Sequence, residues 1–457
     1  MRLTILGGGG FRVPLVYGAL LRDRAEGRVT HVTLHDVDQA RLTAIGRVLA
    51  DQADGVPDAP SVTVTTDLDD ALGGADFVFS AIRVGGLEGR AADERVALAE
   101  GVLGQETVGA GGIAYGLRTV PVAVDIARRV ARLAPDAWVI NFTNPAGLVT
   151  EAMSRHLGDR VIGICDSPVG LGRRVARVLG IADPARARLD YVGLNHLGWL
   201  RGVYADVEPG RDNLLPALFD DESALTSFEE GRLFGAEWLR SLGSVPNEYL
   251  HYYYFNRETV AAYREAKQTR GAFLRDQQAR FYEDMADRTS ASGALAAWDR
   301  TRAEREATYM AENREAAGAG ERAADDLESG GYEYVALALM RAIARDERAT
   351  LILNVRNRGT LSLLDEAAVI EVPCLVDATG ARPVAVSPLT GHEAGLVAAV
   401  KAVERCVLEA GESGSARAAV KAFALHPLVD SVGVARKLLD GYRSAHPGLD
   451  YLKSGAR

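Results

Sequence analysis

The chain is poor in cysteine, in long apolar runs and in net positive charge, and each shortage excludes a class of protein. Only three cysteines occur in 457 residues, at positions 165, 374 and 406, which excludes a disulfide scaffold and favours a reducing compartment. No run of about eighteen apolar residues is present, so we expect no membrane-spanning helix. The N-terminus begins directly with a strand-like segment rather than a charged and apolar leader, so we expect a cytoplasmic protein.

The charge balance indicates what kind of partner the protein binds. Sixty-two acidic residues against 52 basic ones give a formal charge of −10, which argues against nucleic acid or an anionic membrane as partner and favours a small polar substrate. The hydrophobic content of 47% and charged content of 25% are typical of a globular protein. The length favours two domains.

Strand-like and helix-like segments alternate through the first 165 residues. This alternation predicts a parallel sheet covered by helices, and six strands match a doubly wound, Rossmann-like nucleotide fold. We therefore predict an α/β NAD-binding domain over residues 1–190 and an α+β catalytic, substrate and oligomerisation domain over 191–457. The predicted strands are Leu3–Leu6, Val32–Leu34, Val62–Val64, Phe77–Ile82, Trp138–Phe142 and Val161–Cys165.

The second half of the chain does not continue the alternation of strands and helices. Tyr191–Trp199 and Arg201–Val207 predict a strand pair, and residues 208–230 look irregular. Residues 286–328 are rich in Ala, Glu and Arg without a clear apolar stripe, which predicts an exposed helix or mobile loop. Further strands are predicted at Leu351–Val355 and Val369–Val376, and helices at Ala394–Glu409 and Val434–Ala445.

A glycine-rich loop joins the first strand to a helix in ILGGGGFRVP (Ile5–Pro14). Gly7 and Gly9 fit the first part of a G-x-G-x-x-G pattern, and the backbone N–H groups of such a loop meet a diphosphate. Arg12 stands where the third glycine belongs. Asp36 follows the second strand, where a carboxylate bonds both ribose hydroxyls and disfavours a 2′-phosphate, so NAD is favoured over NADP. A glycine turn without a ligand is the alternative.

Polar side chains elsewhere are candidates for ligand contacts. Asn141 and Asn144 lie in NFTNPAG at the end of a predicted strand, where amides reach nicotinamide or substrate; ordinary turn asparagines before Pro145 are the alternative. Arg90 and Arg270 are able to hold an anion bidentately, unless they are only solvated surface residues.

A soft donor pair and a tyrosine cluster suggest catalytic chemistry. Cys165 and His196 each end a strand-like segment, and thiolate with imidazole suits a divalent transition metal in an open site. A buried cysteine with only a packing role is the alternative. The segment PNEYLHYYYF carries four tyrosines, most of them expected to serve packing.

Taken together, these segments resemble glycoside hydrolase family 4, nearest to its NAD- and Mn²⁺-dependent 6-phospho-β-glucosidases, whose fold is of the lactate and malate dehydrogenase kind. The family has a GGG loop with a downstream proline, which accounts for Arg12. The resemblance covers almost the whole chain and rests on GGGGFRVP, AIRVGGLEGRAADE, GVLGQETVGAGGI, NFTNPAGLVTEA, ICDSP, GLNHLGW, PNEYLHYYY, QTRG, LNVRNRG, EVPC and ALHPLV.

The resemblance also implies residue roles. Tyr249 is implied as general base and Asp166 as general acid, with Cys165 and His196 as Mn²⁺ ligands. The residues implied to bind the substrate and its 6-phosphate are Arg90, Asn144 and Arg270. The residues expected to bind NAD are Gly7, Gly8, Gly9, Phe11, Arg12, Asp36 and Asn141.

The implied reaction is hydrolysis of a phosphosugar by transient oxidation at C3, removal of the C2 proton, elimination at C1, addition of water and re-reduction. It replaces the usual pair of carboxylates. Val108 favours the β anomer and Asp166 the α anomer, so a 6-phospho-α-glucosidase remains an alternative. Others are a hydroxy-acid dehydrogenase, which would leave the Cys165/His196 pair unexplained, and a non-catalytic NAD-dependent regulator. A homodimer or homotetramer is expected.

Overall fold

A computed structural model describes residues 1–205, 212–310, 314, 317–319 and 331–453. Within them one sheet of twelve strands runs through both halves of the chain. In chain order the strands are β1 (Arg2–Leu6), β2 (His31–His35), β3 (Ser61–Thr65), β4 (Phe77–Ser80), β5 (Trp138–Asn141), β6 (Val161–Gly163), β7 (Arg188–Leu194), β8 (Leu197–Tyr204), β9 (Val245–Pro246), β10 (Ala349–Arg356), β11 (Val369–Asp377) and β12 (Gly380–Pro383).

Helices cover the sheet. In chain order they are α1 (Val13–Arg22), α2 (Gln39–Ala53), α3 (Leu68–Leu72), α4 (Gly86–Ala99), α5 (Gly109–Leu133), α6 (Ala146–Leu157), α7 (Ser167–Val178), α8 (Leu215–Asp220), α9 (Glu222–Thr226), α10 (Glu229–Phe234), α11 (Ala236–Leu242), α12 (His251–Tyr254), α13 (Asn256–Glu265), α14 (Arg270–Asp287), α15 (Ala294–Ala307), α16 (Tyr332–Arg345), α17 (Gly391–Ser413), α18 (Ala416–Leu425) and α19 (Val432–Ala445). None of the described helices is long and apolar enough to cross a membrane.

The first six strands form the predicted parallel sheet in the order β3-β2-β1-β4-β5-β6. Helices pack on both faces of such a sheet, so its central strands are buried on both sides, and β4 is buried at all four positions. The strand order reverses between β1 and β4, which opens a crevice at their carboxyl ends. The Rossmann-like part of the predicted fold class is confirmed.

The second half continues the same sheet with antiparallel strands. Strand β10 pairs with β6, where Asn354 faces Gly163, and the order continues through β11, β7, β8 and β9. Strands from both sides of position 190 thus share hydrogen bonds. The division into domains at residue 190 stays a prediction.

Three predictions for the second half were wrong in part. The turn of the strand pair lies at Asn195 and His196, not near Leu200, because β7 already ends at Leu194 and β8 begins at Leu197, which pairs with it. Residues 206–207 of the predicted second strand lie outside the described residues. The described part of 208–230 contains α8, α9 and the start of α10, which are too short to show a clear period. The described part of 286–328 contains α15, whose Trp298 is buried rather than exposed; residues 311–313, 315–316 and 320–328 lie outside the described residues.

Candidate active site

A cavity of about 400 Å³ opens at the carboxyl ends of β1, β4, β5 and β6. This is the crevice that a doubly wound sheet offers to ligands. Most of the predicted site residues line it, although they are far apart in the sequence. They are Gly7, Phe11, Arg12, Arg90, Asn144, Cys165, Asp166, His196, Tyr249 and Arg270.

The glycine loop follows β1 and needs its glycines for close packing. Gly7 has a φ of +81°, and a Cβ there would lie 2.5 Å from the carbonyl oxygen of Ala81 on the neighbouring strand end. A Cβ on Gly8 would lie 2.7 Å from Leu34 Cβ. Within the described ranges, the N–H groups of Phe11 and Arg12 have no hydrogen-bond acceptor. They are the donors that a diphosphate would meet at the start of α1.

Side chains of the second half hold this loop from outside. The Tyr282 hydroxyl donates to the carbonyl oxygen of Gly9 at 2.7 Å, and the Trp298 indole donates to that of Phe11 at 2.7 Å. The Tyr332 hydroxyl donates to the carbonyl oxygen of Arg12 at 2.8 Å. The conformation of the loop therefore depends on α14, α15 and α16 as well as on the parallel sheet.

Four residues of the predicted NAD set do not line the cavity: Gly8, Gly9, Asp36 and Asn141. The Asp36 carboxylate accepts hydrogen bonds from the N–H groups of Gly9 at 3.0 Å and Asp38 at 3.1 Å, so it orders the loop. The Asn141 amide is fully buried and donates to the carbonyl oxygens of Thr143 and Ala146. Asn141 shapes the turn that presents Asn144, and the structure does not bring it to the cavity.

The predicted metal donors both reach the cavity and are both buried. Burial raises the pKa of the Cys165 thiol well above its usual value, and the carboxylates of Glu371 and Asp166 add to the rise. A thiol among carboxylates becomes a thiolate when a cation is beside it. No group of three or more His, Cys, Asp or Glu suited to a metal occurs in the described part of the chain. A thiol and an imidazole on the wall of one cavity are a donor set that fits an open site with two protein ligands.

A chain of hydrogen bonds determines the tautomer of His196. Gln105 Oε1 accepts from the N–H groups of Thr107 and Val108, which identifies it as the amide oxygen. The Thr107 hydroxyl donates to the same oxygen at 3.1 Å, so its lone pair faces His196 Nδ1 at 2.8 Å. Nδ1 then carries the proton and donates it to Thr107, and Nε2 keeps a free lone pair that is able to bind a metal. Burial lowers the pKa of His196 to about 3, so the imidazole is neutral, the form that binds metals.

Tyr249 stacks on His196, with ring centroids 3.7 Å apart and planes 8° apart. Its hydroxyl lies 3.0 Å from the Tyr309 hydroxyl, which donates to Glu248 Oε1 at 2.8 Å. Burial raises the pKa of Tyr249 well above its usual value, and the charge of Glu248 adds to the rise. Tyr309 was not among the predicted site residues, although an aromatic residue in a segment expected to be exposed is a sign of burial.

The predicted phosphate-binding arginines already have protein partners. Arg90 donates to Glu94 at 3.0 Å and also binds Glu106, a carboxylate that it shares with Arg83. Arg270 donates through Nη1 to the Thr308 hydroxyl at 2.6 Å. Glu106 lies two residues before Val108 in QETVG, a motif noted only for Val108. That valine is buried and does not line the cavity.

Comparison with known proteins gives a family for both halves of the chain. Residues 2–181 match "Family 4 glycosyl hydrolase" and residues 191–429 match "Family 4 glycosyl hydrolase C-terminal domain". A probable 6-phospho-beta-glucosidase of Bacillus subtilis is 31% identical over 98% of this chain and 96% of its own length.

Solved structures agree over the full length. The 6-phospho-beta glucosidase of Thermotoga maritima, solved with NAD and glucose-6-phosphate, is 26% identical with a TM-score of 0.82 over 100% of both chains. A 6-phospho-alpha-glucosidase from gut microorganisms, solved with NAD and Mn²⁺, is 26% identical with a TM-score of 0.80 over 98% of both chains. A malate dehydrogenase of Plasmodium falciparum, 13% identical with a TM-score of 0.50 over 90% of this chain and 98% of its own, confirms the dehydrogenase-like fold. The chain belongs to family 4 of the glycosyl hydrolases.

Proposed function

We propose that the chain hydrolyses 6-phospho-β-glucosides with NAD⁺ and a divalent metal, Mn²⁺, as cofactors. The observation that carries the proposal is the convergence of the glycine loop, the Cys165/His196 pair and the Tyr249 hydroxyl on one cavity. A hydroxy-acid dehydrogenase would not require the Cys165/His196 metal site. A non-catalytic regulator would not require Tyr249 as a base. The relatives that act on 6-phosphoglucosides with NAD support the same reading. A cytoplasmic location and a homodimer or homotetramer stay predictions.

The residues present fit both cofactors. The N–H groups of Phe11 and Arg12, on a loop ordered by Asp36, would hold the diphosphate of NAD⁺. Cys165 Sγ and His196 Nε2 would hold the metal. When bound, these groups supply a hydride acceptor for C3 of the sugar and a Lewis acid for its oxygens at C2 and C3.

Tyr249 and Asp166 supply the acid–base chemistry in this proposal. A carbonyl at C3 acidifies the C2 hydrogen. Tyr249 has to be a tyrosinate to act as base, a form that a metal held by Cys165 and His196 would favour against the effect of burial. The tyrosinate takes the C2 hydrogen as a proton while the C2–H electron pair forms the C1–C2 double bond. The C1–O bond breaks, and Asp166 gives a proton to the departing oxygen. Water then adds across the double bond: its oxygen bonds to C1, its proton goes to Asp166, and Tyr249 returns its proton to C2. The hydride first removed from C3 would return there from the bound cofactor, so the product is the free phosphosugar. No carboxylate nucleophile is required.

The β anomer is proposed from the likeness of QETVG and YLHYYY to the 6-phospho-β-glucosidases. Val108, which carries part of that likeness, does not line the cavity. It contacts the cavity wall indirectly, because its N–H donates to Oε1 of the lining residue Gln105 at 2.9 Å. Asp166 lines the cavity and is the residue shared with the α enzymes. Anomer choice is therefore measured directly in the experiment below.

The test is a panel of aryl 6-phosphoglycosides, α and β, assayed with and without NAD⁺ and Mn²⁺. We expect turnover only with both cofactors and faster turnover of the β-linked substrate. Full hydrolysis by protein stripped of both cofactors would refute the redox mechanism. Faster turnover of the α-linked substrate would overturn the anomer while leaving the mechanism in place.

Two further measurements test the base. Tyr249→Phe should lose about three orders of magnitude in kcat while NAD⁺ binding is retained, because the phenol acts in the transition state. Tyr253→Phe is the matched control, since Tyr253 belongs to the same cluster but does not line the cavity. Substrate deuterated at C2 should show a primary isotope effect with the wild type. Equal kcat for the two variants would exclude Tyr249 as the base.

A further inference from the structure

Among the residues that the structure describes, eight arginines and five carboxylates line the cavity. Positive charge is therefore in excess on the described part of its lining. Most of these arginines are matched by protein carboxylates: Arg83 and Arg90 share Glu106, and Arg174 forms a buried pair with Glu230. Such pairs hold the walls of the cavity together, and they offer little unbalanced charge to a ligand.

Arg12 and Arg305 have no carboxylate partner among the described residues; the Arg12 guanidinium lies instead over the Phe142 and Tyr332 rings. Arg305 lies in the last turn of α15 and lines the cavity. In the part of the chain that the structure describes, no acceptor takes a hydrogen bond or forms an ion pair with its guanidinium. Burial lowers the pKa of Arg305 well below its usual value, and the positive charges of Arg12 and Arg270 lower it further, whereas the carboxylate of Glu106 raises it. A buried cation with more cations than anions around it is unfavourable until a further anion binds.

The backbone of Arg305 is held in place by a second arginine. Arg270 Nη2 donates to the carbonyl oxygen of Arg305 at 2.8 Å, while Nη1 donates to the Thr308 hydroxyl at 2.6 Å. Thr308 also donates to the Arg305 carbonyl at 3.2 Å. Arg270 therefore fixes the end of α15 and with it the point from which the Arg305 side chain enters the cavity.

We propose that Arg305 binds the phosphate group of the substrate, a phosphate monoester dianion, and so determines the preference for phosphorylated glycosides. The proposal rests on the proposed function. A diphosphate is the other phosphoryl group near this site, but the N–H groups of Phe11 and Arg12 are available to it. Arg305 is tied to Arg270, on the side of the cavity that the family resemblance assigns to substrate. The planar guanidinium suits bidentate contact with phosphate oxygens.

The experiment compares the wild type with Arg305→Ala, Arg305→Lys and the control Arg300→Ala. Arg300 lies on the same helix but is exposed. Binding of glucose 6-phosphate, glucose and NAD⁺ is measured by calorimetry, and kcat/KM is measured on an aryl 6-phosphoglucoside and its unphosphorylated counterpart. We expect Arg305→Ala to weaken glucose 6-phosphate binding and kcat/KM on the phosphorylated substrate roughly 10- to 100-fold, the worth of charged hydrogen bonds.

The measurements that do not involve the 6-phosphate should change little. Glucose binding, NAD⁺ binding and kcat/KM on the unphosphorylated substrate should stay within about threefold of wild type, with Arg305→Lys intermediate and Arg300→Ala unchanged. The thermal unfolding temperature without ligand should not be lowered by Arg305→Ala, because its guanidinium has no partner among the described residues. Weaker NAD⁺ binding with unchanged glucose 6-phosphate binding would assign Arg305 to the diphosphate and overturn the proposal. A wild type that binds glucose and glucose 6-phosphate equally would refute the proposed function instead.

Discussion

At the residue scale, Thr107 decides which nitrogen of His196 is offered to a metal. Its hydroxyl donates to Gln105 and leaves a lone pair for His196 Nδ1. Thr107→Val removes that acceptor, so the ring loses its preferred tautomer and orientation. We expect Mn²⁺ affinity, measured by calorimetry in the absence of substrate, to fall roughly 10- to 100-fold.

Thr107→Ser is the matched control for this prediction. It keeps the hydroxyl and removes only a methyl group, so Mn²⁺ affinity should stay near that of the wild type. Equal weakening in both variants would mean that packing, not the hydrogen bond, supports His196. Unchanged Mn²⁺ affinity in Thr107→Val would show that the hydrogen bond from His196 to Thr107 does not control which ring nitrogen binds the metal.

Some site residues were predictable from the sequence, and others were not. Cys165 and Asn144 follow predicted strands, and strands of a parallel sheet end at the same edge, so their proximity was expected. Tyr249 was identified only through resemblance to a family. Arg305 and Tyr309 come from a segment rich in Ala, Glu and Arg, where composition indicates solvent exposure. Their position depends on Trp298 packing against the glycine loop, a long-range contact that no local pattern encodes.

At the element scale, a buried carboxylate joins α4, α5 and the segment after α19. Asp93 receives two hydrogen bonds from Arg118, at 2.7 and 2.6 Å, and His446 Nε2 lies 2.8 Å from Asp93 Oδ1. Arg118→Met leaves the Asp93 charge without its main partner. We expect the free energy of unfolding, from urea titration, to fall by roughly 3 to 5 kcal/mol.

Arg129→Met on the same helix is the control, because Arg129 pairs with Asp69 and Asp125 at the surface. Exposed pairs of this kind contribute little, so its urea midpoint should match that of the wild type. A similar loss in both variants would indicate a general defect of α5. An unchanged midpoint in Arg118→Met would show that Asp93 is stabilised without arginine.

Strands and helices were predictable where their buried residues form a recognisable apolar run or period in the sequence. The six parallel strands are short apolar runs bounded by turns, and all six lie where they were expected. Helices α8, α9 and α10 have six, five and six residues and are too short to show a period. The turn between β7 and β8 was misplaced although Asn195 and His196, two polar residues, mark it, because these two residues were assigned to one long apolar strand.

At the scale of the whole molecule, the two halves of the chain share one sheet and one core. Strand β10 pairs with β6, and Ile113 and Leu117 of α5 belong to the same hydrophobic cluster as Val407 and Phe423 of the C-terminal helices. The glycine loop accepts hydrogen bonds from side chains of α14, α15 and α16. A fragment of residues 1–190 would expose these surfaces and lose the groups that hold its loop.

We therefore expect the full chain to unfold in a single transition, at the same midpoint by far-UV circular dichroism and by tryptophan fluorescence. NAD⁺ at one hundred times its Kd should raise the free energy of unfolding by about 2.7 kcal/mol, and both signals should move together, because the loop that binds it is held by both halves. A fragment of residues 1–190 should show no cooperative transition and no NAD⁺ binding. Two separate transitions, with NAD⁺ shifting only one of them, would instead establish independent domains divided near residue 190.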